Sequence, residues 1–358
     1  MKKVSVVILN WNGKALMEQF LPSVLAHTPE VVAEIMVADN GSTDGSTEML
    51  REKFPSVRLL PFDRNYGFAE GYNRAMAAVE TPCAVLLNSD VEVTPHWLDE
   101  PLRVLDEYPD VAGVQPKIRS WKHREHFEYA GACGGYIDRY GYPFCRGRIL
   151  NGVEEDRGQY DRTADIFWAS GACFFIRTEV YRKEGGLDAV FFAHQEEIDL
   201  CWRLRARGYR LLCTPQSVVY HVGGATLEVE NPRKTFLNFR NNLLMIYKNM
   251  PDSTLPRVMR VRRWLDCLAA GRFLLTGHLA GARAIFRARR AFRQLKKTYQ
   301  PVREDNLSRV RVDPVPEMLP RNLLFSCYLK RKKTFAELCP DERFNNSIIQ
   351  RFKGERRG

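Results

Sequence analysis

The sequence predicts an α/β protein: a mostly parallel sheet flanked by helices, followed by a basic, helical C-terminal extension. Three observations carry that prediction. Short apolar, β-rich runs alternate with segments of helical periodicity through about residue 115, the pattern of parallel strands joined by helical crossovers. Polar and acidic residues begin where those runs stop, and open α/β sheets bind ligands outside the carboxyl ends of their strands. Residues 232–358 hold 29 Lys and Arg against 10 Asp and Glu, a net +19, which leaves residues 1–231 at −8 in a chain of +11.

Val4-Ser5-Val6-Val7-Ile8-Leu9 reads as a buried strand, and Asn10 to Gly13 turns out of it. Residues 14–26 place Leu16, Phe20, Leu21, Val24 and Leu25 at helical spacing. Glu34 to Ala38 is a second strand ending at Asp39, Asn40 to Gly45 is a loop, and Thr47 to Lys53 begins a helix. Val57 to Leu60 is a third strand, and a helix over 68–79 follows Asn65-Tyr66-Gly67. Ala84-Val85-Leu86-Leu87 is a fourth strand, which delivers Asn88-Ser89-Asp90-Val91-Glu92. Pro95-His96-Trp97-Leu98 opens another helix, and Val111 to Val114 is a further strand. Residues 117–163 are rich in Gly, Tyr and Arg with weak periodicity, and read as a loop-rich or antiparallel insertion. Apolar character returns over 166–176, a helix is expected over 196–207, and Val218-Val219-Tyr220 reads as a last short strand. The charge boundary divides the chain into a domain of residues 1–231 and a basic, mainly helical extension of residues 232–358.

Composition narrows the function. The nine cysteines form no C-x-x-C pair, so neither a zinc site nor a disulfide framework is expected, and a reducing cytoplasm fits. The apolar stretch Val4–Leu9 behind Met1-Lys2-Lys3 is too short for a secretory core. No run approaches the roughly 18 apolar residues of a spanning helix.

Four polar constellations stand at predicted strand ends or helix starts. Asp90 is placed to grip a hard divalent cation through oxygen, and such a cation can grip a diphosphate; a plain acidic helix cap is the alternative. Asp39, opening a Gly-containing loop, could accept hydrogen bonds from a nucleobase or ribose, or make an Asx turn. Arg64 and Arg74 flank a predicted helix start, where anions are favoured; a capped surface helix is the alternative. His194-Gln195-Glu196-Glu197-Ile198-Asp199 gathers three carboxylates, which raise one another's proton affinity as a general base requires. The aromatic Phe191-Phe192 before them argues against simple exposure. His221, after the last strand, is either structural or a metal ligand.

Together these pieces resemble the family 2 glycosyltransferases of the nucleotide-diphospho-sugar transferase (GT-A) fold, and among them the bacterial rhamnosyltransferase-type members that build surface polysaccharides. The likeness covers roughly residues 3–225. It rests on Val6-Val7-Ile8-Leu9-Asn10-Trp11-Asn12, on Val37 to Ser46, on Asn65-Tyr66-Gly67-Phe68, on Leu86-Leu87-Asn88-Ser89-Asp90, on Ser170-Gly171-Ala172 and on Glu196 to Leu200.

The resemblance implies roles. Asn10 and Asp39 would contact the base or ribose, with Arg64 and Asn65 near the nucleotide. Asn88-Ser89-Asp90 occupies the place of the family's D-x-D element, with Asp90 as the carboxylate for Mg²⁺ or Mn²⁺; its first Asp is Asn88 here, which weakens the metal grip. His221 would help hold the metal or diphosphate. Glu197 falls where the family has its catalytic base, with Glu196 as the alternate. Trp168, Ser170, Gly171 and Glu196 would border the acceptor. The donor implied is a dTDP- or UDP-sugar, dTDP-rhamnose by likeness, and the acceptor a glycan or lipid-linked hydroxyl. The chemistry implied is one inverting displacement in which the base takes the acceptor's proton.

In residues 256–297 apolar positions interleave with twelve Arg and Lys from Arg257 to Lys297, and Lys330-Arg331-Lys332-Lys333 adds a second basic cluster. Basic amphipathic helices lie on anionic membrane surfaces, so peripheral contact with the inner face of the cytoplasmic membrane is expected, or else packing of the apolar stripe on the first domain. No nucleic-acid-binding signature occurs, and no nucleic-acid partner is expected. The different-class alternative is a membrane- or nucleic-acid-binding scaffold with a degenerate transferase domain, motivated by Asn88 and the basic tail.

Overall fold

A computed structural model describes residues 2–223 and 231–341. The first half alternates as expected: β1 (Val4–Asn10), α1 (Lys14–His27), β2 (Ala33–Asp39), α2 (Ser46–Lys53), β3 (Arg58–Pro61), α3 (Gly67–Ala77) and β4 (Cys83–Asn88). β1 pairs in parallel with both β2 and β4, and β2 with β3, so the ends of β2, β1 and β4 lie side by side. Successive residues of these central strands enter opposite cores. Val7, Ala84 and Leu86 face one hydrophobic cluster; Val6, Ile8, Val85 and Leu87 face the other. Burial on both faces is why the strands read as continuous apolar runs.

β5 (Val91–Val93) and α4 (Asp99–Glu107) lead to β6 (Val111–Ser120). The helix expected from Pro95 begins only at Asp99, because residues 95–98 form a turn in which His96 takes a positive φ of 63°. The insertion is antiparallel: β7 (Gly135–Asp138), β8 (Pro143–Cys145), β9 (Arg148–Ile149) and β10 (Gly152–Val153) meander into a second sheet. β11 (Ala164–Asp165) returns to the main sheet, and β12 (Cys173–Arg177) runs antiparallel between β4 and β6. Then come α5 (Thr178–Lys183), α6 (Glu196–Ala206) and β13 (Arg210–His221), which pairs in parallel with β6. β13 is a full strand where a short one was expected. Its ladder shifts register between Thr214 and Val218, across Pro215, which has no N–H to give the ladder.

The extension supplies α7 (Pro232–Asn249), α8 (Leu255–Leu275), α9 (Leu279–Thr298), α10 (Gln300–Ser308), β14 (Met318–Leu319), α11 (Leu323–Tyr328) and α12 (Phe335–Leu338). β14 pairs with β7, tying the end of the described chain to the second sheet. The basic segment 256–297 is two helices, broken at Gly277, which takes φ +79°. No described helix is long and apolar enough to cross a membrane.

Packing does not follow the charge boundary at residue 231. Leu243, Leu244, Met245 and Ile246 of α7 are buried in the same cluster as Ile198 and Leu200 of α6. At about 1.5–3 kcal/mol per buried side chain, these four contribute roughly 6–12 kcal/mol, as much as the whole net stability of a typical domain. α7 is therefore part of the first domain's core.

Candidate active site

Parallel pairing brings the polar residues to one rim. Asn10 and Asp39 are partners in the β1–β2 register, and Asn10 Nδ2 donates to Asp39 Oδ2 at 2.9 Å. Asp39 Oδ1 accepts from the Ser42 N–H at 2.9 Å, which closes the loop after β2. Asn10 Oδ1 is buried with no partner among the described residues. Gly13 leaves the space beside it open: a Cβ there would lie 2.5 Å from Asn10 Oδ1 and 3.7 Å from Ser89 Oγ. The end of β1 thus adjoins the Asn88-Ser89-Asp90 segment.

Asn40 was not singled out by the sequence, yet it anchors the next loop. Its Nδ2 donates to Asn65 Oδ1 (3.1 Å) and the Gly67 carbonyl (3.0 Å), and its Oδ1 accepts from the Tyr66 N–H (3.0 Å). Asn65 Oδ1 also accepts from the Gly67 N–H, so Asn65 shapes the start of α3. Arg64 is exposed, its guanidinium 4.9 Å from the Tyr66 ring centre.

At the other end of the rim, His221 Nε2 lies 3.1 Å from Asp90 Oδ1 and 3.4 Å from Asn88 Nδ2. His221 Nδ1 lies 3.5 Å from Glu128 Oε2, a second carboxylate that the sequence did not point to. Burial disfavours the imidazolium, but Glu128 and Asp90 together push the His221 pKa up to about 10. Burial likewise works against the Asp90 carboxylate, and the His221 cation holds its pKa below the usual range regardless. The carboxylates sit at opposite ring nitrogens and do not converge with the ring on one point. Accordingly, no group of three or more His, Cys, Asp or Glu among the described residues is arranged to hold a metal ion. Asp90 alone offers a carboxylate oxygen of the kind a hard divalent cation takes together with water and a diphosphate; His221 could join it only as the neutral imidazole, after giving up the proton that pairs it with the two carboxylates.

α6 presents the acidic pair from a strained loop. Phe192, His194 and Gln195 all take positive φ (64°, 72° and 74°), a conformation that costs non-glycine residues of order 1–3 kcal/mol each and persists only when its surroundings impose it. α7 imposes it. Asn241 Nδ2 lies within hydrogen-bonding distance of the carbonyls of Phe191, Ala193 and His194, and Asn242 Nδ2 donates to Gln195 Oε1. The loop also touches the rim, since the Phe192 carbonyl accepts from the Phe68 N–H at 2.6 Å. A Cβ at Gly67 would lie 2.5 Å from the Phe192 ring, and one at Gly171 would lie 3.1 Å from the Phe68 ring. Gly171 therefore lies where α3 and this loop meet.

Glu196 is buried, Glu197 is partly buried, and the Oε2 of each has no partner. Burial pushes both upward: Glu197 to about 7, and Glu196 well above the usual range with help from Glu197's charge. Asp199 does not share that shift, contrary to expectation. Burial opposes its charge, but Lys248 (2.8 Å) and Arg203 (3.1 Å) hold its pKa low, and Asn249 donates to its other oxygen. Asp199 is a structural anchor between α6 and α7. His194, which the sequence assigned no role, has burial and Lys234 pulling its pKa down to about 4, so its ring is neutral.

Two expected acceptor contacts need correction. Trp168 is buried, its indole N–H donates to the Tyr136 carbonyl at 2.8 Å, and its ring packs against Gly135, where a Cβ would come within 2.1 Å of it. Ser170 is buried with its hydroxyl donating to the Ala130 carbonyl and accepting from the Ala172 N–H. Both hold the framework behind the rim and leave no free polar group for an acceptor.

The rim defines a nucleotide-diphospho-sugar transferase (GT-A) fold, and comparison agrees. The profile of glycosyltransferase like family 2 matches residues 2–241, and the chain belongs to that family. It is a glycosyltransferase that uses nucleotide-sugar donors. It is 26% identical over 234 residues to the N-acetylglucosaminyl-diphospho-decaprenol L-rhamnosyltransferase of Mycobacterium tuberculosis, covering 60% of this chain and 75% of that one. It is 29% identical over 223 residues to the O-antigen biosynthesis protein RfbC of Myxococcus xanthus, covering 61% of this chain but only 17% of that protein. The crystal structure of GalNAc-T7 with UDP, GalNAc and Mn²⁺ shares the fold at a TM-score of 0.55 and 17% identity, over 69% of this chain and 48% of that one. The scaffold alternative is not favoured.

Proposed function

We propose that this glycosyltransferase moves a sugar, rhamnose first among the candidates, from a dTDP- or UDP-sugar to a hydroxyl of a glycan or lipid-linked acceptor in cell-surface polysaccharide synthesis, by one metal-assisted, inverting displacement. The mycobacterial relative's name supports the rhamnosyl group and the lipid-linked acceptor. The Mn²⁺ complex of GalNAc-T7 supports a divalent ion, Mg²⁺ or Mn²⁺.

In this reading Asn10 and Asp39 receive the base and ribose, with Arg64 and Asn65 beside the nucleotide. Asn88, Asp90 and His221 face the diphosphate. A cation bound at Asp90 and His221 would offset the charge growing on the leaving diphosphate. Glu197 takes the proton of the acceptor hydroxyl as that oxygen bonds to the anomeric carbon. The bond from that carbon to the diphosphate breaks, and its electron pair leaves with the diphosphate. Glu196 and Gly171 line the acceptor side.

The observation that carries this reading is the Glu197 carboxylate. It is partly buried, its Oε2 has no partner, and its pKa is raised to about 7, where a base works best at neutral pH. A thermal-shift panel of nucleotide sugars with Mn²⁺ tests it. A cognate donor at 100 times its Kd adds about 2.7 kcal/mol of stability; no shift with any dTDP- or UDP-sugar contradicts the proposal.

A further inference from the structure

α8 is inside-out. Its buried stripe runs Val258, Arg262, Asp266, Ala270, so two of its four inward residues are charged. Arg262 donates to the Tyr140 carbonyl (2.9 Å) and to Asn242 Oδ1, and pairs with Asp266, which Arg289 of α9 also contacts. The outward face carries the large apolar groups: Trp264 is 71% exposed, Leu268 69% and Leu275 91%. Positions 264, 268 and 275 share one helical face. A helix covering a soluble protein shows the opposite arrangement.

The charge around this stripe has one sign. Between Asp252 and Glu304 the sole acidic residue is Asp266, and it is buried. Arg257, Arg260, Arg263 and Arg272 border the stripe and are exposed. The hairpin tip is apolar too, with Leu274 and Leu279 exposed on either side of Gly277. A small core of Ala270, Ala282 and Ile285 holds the two helices together behind it. A second patch adjoins: α11 exposes Phe325 and Tyr328, and Leu329 after it is exposed too, just before Lys330-Arg331-Lys332-Lys333. Both elements grip one turn, since Arg262 donates to the Tyr140 carbonyl and the Leu323 N–H to Asp138 Oδ2.

We infer that the α8–α9 hairpin docks on an anionic lipid bilayer, its Trp264–Leu268–Leu275 stripe entering the headgroup boundary and its arginines meeting the lipid charges. Contiguous apolar surface rimmed by cations is the pattern of helices that lie in that boundary. A second copy of this face would bring arginine against arginine with no acid to pair it. A nucleic acid would satisfy the arginines and leave the leucines in water. The inference goes beyond the transferase reading and does not rest on it, because docking needs neither donor nor acceptor.

Co-sedimentation of the full chain with vesicles tests it, using phosphatidylcholine alone and phosphatidylcholine with about one third phosphatidylglycerol. The protein is expected to pellet with the anionic vesicles and about tenfold less with the neutral ones. Combined Trp264→Ser, Leu268→Ser and Leu275→Ser is expected to lower anionic-vesicle binding by about tenfold or more. Arg260→Ala with Arg263→Ala is expected to weaken it and to flatten its salt dependence. These side chains point outward, so circular dichroism and melting are expected to match the parent. Equal binding of parent and variants to anionic vesicles overturns the inference. So does a parent that ignores vesicles, whether or not it forms a dimer that the serine variant splits or binds DNA instead.

Discussion

His221 Nε2 lies 3.1 Å from Asp90 Oδ1, joining segments 131 residues apart in the chain, while its other ring nitrogen faces Glu128 at 3.5 Å. The ring is thereby hydrogen-bonded to one carboxylate and faces the charge of a second from a different part of the fold. Glu128→Gln keeps the shape but removes one of them. Outer partners of this kind tune a ligand by about 10–100-fold in metal affinity. Mn²⁺ titration of the transfer rate is expected to show that loss for Glu128→Gln. Asp90→Ala is expected to lose on the order of 10²–10³-fold in rate at saturating Mn²⁺.

The raised Glu197 carboxylate makes a stability prediction with a definite sign. Its pKa rises from 4.5 to about 7 on folding. Between those values the native state binds more protons than the unfolded state, so stability falls as pH rises through that window and the penalty is complete above it. Glu197→Gln removes the penalty. The variant is expected to melt above the parent at pH 8 and level with it near pH 4, as scanning calorimetry at the two pH values will show.

Asn40 makes three hydrogen bonds that shape residues 65–67. Asn40→Ala leaves those groups without partners at about 1–3 kcal/mol for each that stays buried. Urea unfolding is expected to register a loss of that order, and donor KM is expected to rise because Asn65 and Arg64 lose their support.

Asp199 is fully buried between Lys248, Arg203 and Asn249. Removing one partner of a buried pair costs about 3–5 kcal/mol, because the other charge is left uncompensated. Asp199→Ala is expected to destabilise by that amount in chemical denaturation. A chain ending at residue 231 is expected to be insoluble, since it lacks the α7 side chains of the core and the Asn241 contacts that hold the Glu196–Glu197 loop.

The central strands were legible because burial on both faces writes itself as an uninterrupted apolar run, as in Ala84–Leu87. The polar residues that end them were legible for the same reason. Their partners were not. Glu128 sits in an irregular stretch 93 residues before His221, and Lys248 comes 49 residues after Asp199. Local sequence carries no record of such pairings, and nearness along the chain alone groups Asp199 with the two glutamates. Asn40 looked like one more turn residue in a loop full of them. Trp168 and Ser170 followed from the resemblance, which preserves a motif without saying which way a side chain faces. Net charge suggested a boundary at residue 231, but charge describes surfaces, and α7 joins the first domain through its interior.

The most direct test compares sugar transfer and donor binding in Glu197→Gln. Transfer to a hydroxyl acceptor is expected to fall by on the order of 10²–10⁴-fold while nucleotide-sugar binding with Mn²⁺ stays within about twofold of the parent. A variant that still transfers at the parental rate would contradict the assignment of Glu197 as the base and the displacement built on it.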